Sequence, residues 1–102
     1  MENRLSLKGG DAIGKATSLE DDYRSQLISH LETIRNDPTR DPRGKRVVTI
    51  NKPPIVFSWY EEDGWRIVYN YWYDRTDKIF SIAVYDFECD DLKFEINPDF
   101  RQ

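Results

Sequence analysis

The sequence predicts an α+β fold, one or two helices packed on a three- to four-stranded antiparallel meander sheet. Three observations predict it. Apolar residues recur at helical spacing from Leu19 to Ile34, the period changes to two from Val47 onward, and short polar turns join the later segments. Spacings of three and four put side chains on one stripe of a helix, whereas alternation puts them on one face of a strand. Short connections between successive strands require antiparallel neighbours. The 102 residues make a single domain, 1–102, because a chain of this size supports one small core. Its 14% aromatic content must fill much of that core.

Residues 1–16 are polar and carry Gly9, Gly10 and Gly14. Leu5 and Leu7 alternate with polar neighbours, so this stretch reads as an edge strand or a flexible arm. Thr17 to Arg35 reads as the helix. Thr17 with Glu20 fits a capping box, with Ser18 as the rival N-cap. Glu20, Asp21 and Asp22 then occupy the first turn, where the helix dipole favours anions. Leu19, Tyr23, Leu27, Leu31 and Ile34 form one apolar stripe with Ile28 beside it, and Asp37-Pro38 stops the helix.

Residues 36–46, NDPTRDPRGKR, lack apolar side chains and read as an exposed loop. Val47, Val48 and Ile50 suggest a strand cut by Pro53-Pro54, and Ile55 to Tyr60 the next. Glu61 to Gly64 is a turn with glycine available for positive φ. Trp65 to Tyr73 places Trp65, Ile67, Tyr69, Tyr71 and Tyr73 on one face, and Arg66, Val68, Asn70 and Trp72 on the other. After the polar turn Asp74 to Lys78, Ile79 to Phe87 is the last strand. Residues 88–102 form an acidic tail with Leu92, Phe94, Ile96 and Phe100 as anchors.

Composition narrows the function classes. No apolar run is long enough for a transmembrane helix, so no membrane role is expected. MENRLSLKGGD carries no apolar h-region, and Cys89 is a single cysteine, so a reducing, cytoplasmic setting is expected. The net charge of −4 argues against a protein that coats nucleic acid.

The candidate chemistry is sparse. GGDAIGK matches the P-loop spacing, but Ala16 stands where Ser or Thr would hold magnesium, so a flexible glycine-rich arm is the expectation. His30 is the single histidine and reads as a partly exposed helical residue. Cys89 lies between Glu88 and Asp90, a field that opposes thiolate formation. Neither a metal site nor a cofactor is expected, since one His and one Cys do not make a zinc site. Residues 86–99 hold six acids and one lysine without the EF-hand pattern, and read as a solvated tail, with a weak calcium site as the alternative. Six basic residues lie from Arg35 to Lys52 against two acids. Beside an aromatic sheet, such a patch suits a phosphate backbone and a stacked base.

The order of helix, basic loop and aromatic meander resembles the RelE/ParE superfamily of toxin–antitoxin toxins. The carriers are 65-WRIVYNYWYD-74 and 79-IFSIAVYDF-87, and the resemblance spans about Leu19 to Phe87. It implies a type II toxin, either a ribosome-dependent mRNA interferase or a target-binding toxin, held by an antitoxin. By that resemblance Arg66, Lys45 and Arg46 would stabilise charge on the phosphorane, and Tyr85 would donate a proton. RNA, the ribosome or a protein target would be its partner. Asp86, Phe87 and Glu88 stand where the family runs on into basic or histidine-containing sequence. The alternative is therefore a non-enzymatic, acidic protein-binding module such as an immunity, inhibitor or adaptor protein.

Overall fold

A computed structural model describes residues 2–39, 45–48 and 55–100, with the backbone alone at 45–48 and 55. The elements are β1 (Arg4–Leu7), α1 (Gly9–Ser18), α2 (Asp21–Asn36), β2 (Lys45–Val48), β3 (Ile55–Glu62), β4 (Trp65–Asp74) and β5 (Ile79–Cys89). A 3₁₀ turn follows at Pro98–Phe100. The sheet runs β1-β5-β4-β3-β2. The β2-β3-β4-β5 pairs are antiparallel, and β1 adds to β5 in parallel. The architecture is thus the anticipated α+β one, two helices on a mostly antiparallel meander. The sheet is wider than expected, because Arg4–Leu7 is a paired edge strand and brings the count to five.

Two helices are present, within the expected one or two, and the second begins later than Thr17. GGDAIGK is not a flexible arm; it forms most of α1, where Ala12 is buried and Ala16 packs on the core. Thr17 and Ser18 are not N-caps. Their hydroxyls donate back to the carbonyls of Ile13 (2.8 Å) and Lys15 (2.9 Å) in the last turn of α1. Leu19 and Glu20 are extended and separate the helices, and burial of Leu19 anchors the break. Asp21 and Asp22 remain in the first turn of α2, which ends before Asp37-Pro38 as expected. Leu27 and Ile34 are buried on the sheet, with Tyr23 and Leu31 half-buried beside them.

The two faces of the sheet carry separate cores. On the α2 face, Tyr60, Trp65, Ile67, Tyr69, Ile82, Val84 and Phe87 pack against Leu19, Leu27 and Ile34. On the other face, Phe57, Trp59 and Val68 pack with Ile96, and Tyr85 and Phe100 border them. The hairpin between β3 and β4 turns at Asp63 (φ 53°) and Gly64 (φ 81°), the paired positive φ values of a two-residue hairpin turn.

A bulge in β5 sets which residues reach each core. Val68 pairs with Asp86 and Tyr69 with Val84, so Tyr85 is the extra residue. Strict alternation from Ile82 and Val84 would point Asp86 and Glu88 at the α2-side core. The extra residue reverses the parity, sending Phe87 and Cys89 inward there and the two acids to the opposite face.

The acidic tail is not a solvated one. Leu92 and Phe94 pack against the α2-side core, whereas Ile96 and Phe100 belong to the opposite core. Residues 90–100 therefore pass from one face of the sheet to the other as a strap. Among the described residues, no helix is long and apolar enough to cross a membrane.

Candidate functional site

Charge pairing organises the face opposite α2. Asp86 and Glu88 project there from β5 beyond the bulge, and both are buried. An isolated buried carboxylate is strongly disfavoured, so each needs a cation and further donors. Lys15 of α1 supplies the first cation. Its Nζ lies 2.5 Å from Asp86 Oδ1 and also donates to the carbonyls of Phe87 (3.1 Å) and Glu95 (2.7 Å). Arg66 of β4 supplies the second, with Nε donating to Glu88 and Nη2 to Asp90. The bonds it donates to Asp90 and Glu88 raise the guanidinium above its already high ordinary pKa, against the opposing effect of burial.

The other carboxylate oxygens hold the strap. Asp86 Oδ2 accepts from the backbone N–H of Asn97 (2.8 Å), and Glu88 Oε1 from that of Ile96 (2.7 Å). Each acid thus joins a side-chain cation on one oxygen to a strap amide on the other. The sequence signal for this clasp was the alternation of Asp86, Glu88 and Asp90, which a strand places on one side.

The resemblance-based residues lie on three different strands: Lys45 and Arg46 on β2, Arg66 on β4 and Tyr85 on β5. Arg66 does lie on the face opposite α2, but it is paired with Glu88 and Asp90 and does not form an open basic strip. Tyr85 is half-buried at the bulge, its ring edge-on to Phe57 at 5.0 Å. Lys45 pairs in register with Ser58, and Ser58 with Tyr69. Lys45 is therefore two strands across and three residues along from Arg66, about 14 Å backbone to backbone, and Arg46 is one residue further. The side chains of Lys45 and Arg46 lie outside the described residues. The P-loop-like Lys15 is engaged in the clasp, and its segment is helical rather than a phosphate-cradling loop.

His30 is half-buried, as its position beside the stripe suggested, and its partners were not legible. Nδ1 lies 2.7 Å from Tyr60 Oη, which donates to Glu62 (3.1 Å). Burial lowers the imidazole pKa, although Asp63 and Glu62 oppose the shift. Burial, then the bond to Glu62, pushes the Tyr60 phenol up to about 12. Trp65 Nε1 donates to Gln26 (3.1 Å) alongside.

The strap leaves part of the opposite face uncovered. Trp72, Ser81 and Arg4 lie in one row across β4, β5 and β1. Trp72 is 49% exposed. With Ser6 and Lys8 these residues line a groove of about 520 Å³. Arg4 is held by Asp77 (2.8 Å) and Asp74 (2.9 Å). Among the described residues no group of three His, Cys, Asp or Glu side chains is placed to hold a metal ion. Compared with known proteins, the chain matches no family model, no curated protein and no solved structure.

Proposed function

We propose that the chain is a non-enzymatic, cytoplasmic protein-binding module, an immunity, inhibitor or adaptor protein in kind. One observation carries this reading. Arg66, the residue best matched to a nuclease role, already neutralises Glu88 and Asp90. A guanidinium that stabilises a developing phosphorane must be free to face it. Trp72, half-exposed on a sheet face in a row with Ser81 and Arg4, offers a partner the rigid aromatic anchor that protein interfaces favour.

The second reading is a toxin-like member of the RelE/ParE superfamily, bound by an antitoxin and acting on RNA, the ribosome or a protein target. The order of elements favours it, with helices followed by an aromatic antiparallel meander. Induced expression without a neighbouring gene separates the two. The binding-module reading expects unimpaired growth and intact cellular mRNA. Growth arrest relieved by Arg66→Glu in a chain that still folds would overturn it in favour of the toxin.

A further inference from the structure

The strap reads as an internal ligand. Five contacts define what the underlying face accepts. Lys15 Nζ donates to the carbonyl of residue 95, Glu88 accepts the N–H of residue 96, and Asp86 accepts the N–H of residue 97. The Ile96 side chain is buried with Trp59 and Val68. Phe100 sets its ring edge-on to Phe57 at 5.1 Å. Three of these contacts read backbone and two read side chains, the division of labour seen where a protein recognises an extended peptide.

Two features make the strap displaceable. First, its departure strands neither carboxylate, because Lys15 and Arg66 stay on the opposite oxygens of Asp86 and Glu88. Second, a cleft of about 220 Å³ opens at its root among residues 92–95, Arg66, Glu88 and Cys89. The side chains of Lys93, Glu95, Pro98 and Asp99 are exposed and add little to its hold on the sheet.

We infer that the face beneath the strap is a peptide-binding site, and that the strap closes it until a partner segment competes. The partner segment is extended, with an aliphatic residue at the Ile96 position, free N–H groups there and one residue later, and an aromatic residue four positions on. This rests on the binding-module reading for its biological sense, though not for its measurement.

The test uses the full chain and a labelled peptide, DLKFEINPDF, which copies residues 91–100. In the wild-type chain, the amides of Ile96 and Asn97 should exchange with solvent at least about a hundredfold faster than the β4–β5 ladder. The peptide should bind wild type weakly and the Ile96→Asp chain at least about tenfold more tightly, since apparent affinity scales with the fraction of chains whose strap is open. A peptide carrying Ile96→Asp should not bind. Should the Ile96→Asp chain fail to fold by circular dichroism, exchange and peptide titration on wild type decide alone. Exchange of Ile96 and Asn97 as slow as the ladder, or no peptide binding, overturns the inference. A concentration-dependent dimer dispersed by the peptide also overturns it, assigning the face to a second copy of the chain. A chain that binds the peptide yet arrests growth keeps this inference and loses the binding-module reading. A harmless chain with a fixed strap does the reverse.

Discussion

Lys15 and Asp86 are 71 positions apart in the chain and 2.5 Å apart in space. Their pairing ties α1 to β5 and, through Asn97, to the strap. Lys15→Met would leave Asp86, 1% exposed, without its cation. Removing one partner of a buried pair is expected to cost about 3–5 kcal/mol, read by urea denaturation. Adding Asp86→Leu should recover part of that loss, because the double variant buries no lone charge. Strictly additive losses would show that the pair is not energetically coupled. Because Lys15 is engaged here, ATP should leave the wild-type melting temperature unchanged.

Arg66 provides a test of the same kind on the second carboxylate. Arg66→Glu places a third acid against Glu88 and Asp90, and should destabilise by at least about 3 kcal/mol. A melting temperature near that of wild type would restore the open basic strip expected from sequence.

Leu27 lies beneath α2 in the larger core. Leu27→Ala should cost about 2–4 kcal/mol, the usual range for a buried leucine truncated to alanine. Wild-type stability in this variant would contradict the packing of α2 on the meander.

His30 makes stability depend on pH. Its folded pKa is lowered by burial, so the unfolded chain binds the proton more readily. Stability from this group is present above its unfolded pKa of about 6.5 and is lost as pH falls through that value toward the folded one. Unfolding free energies between about pH 7.5 and 5.5 should therefore decline, and His30→Gln should flatten that decline. An unchanged slope in His30→Gln would place the titration elsewhere.

Tyr85 is the residue that corrects the parity of β5. Deleting it would direct Asp86 and Glu88 at the α2-side core and turn Phe87 and Cys89 outward. The deleted chain should lose cooperative unfolding, whereas Tyr85→Ala, which keeps the count, should retain it. Equal stability of the two would show that the bulge is dispensable.

Local chemistry was legible where each residue acts through its own backbone or neighbours. The stripe from Leu19 to Ile34 determined which side of α2 is buried, and Asp37-Pro38 its end. Asp63-Gly64 determined the hairpin, and the alternation from Trp65 to Tyr73 determined both faces of β4. These are short-range preferences of helix, turn and strand, so a linear reading captures them.

Tertiary structure decided whatever depended on distant partners. The alternation of Arg4–Leu7 left an edge strand and a flexible arm both open, and the free edge of β5 decides for the strand. GGDAIGK is helical despite three glycines, with α1 docked through Ala12, Ala16 and Lys15. At the break between the helices, Leu19 is buried in the α2-side core. The bulge at Tyr85 is a matter of register between strands, which no single strand encodes. Whether Lys15, Arg66, Asp86 and Glu88 were surface charges or a buried clasp turned on the same register. Charges read along a sequence look solvated, and only the fold shows which of them burial has forced into pairs.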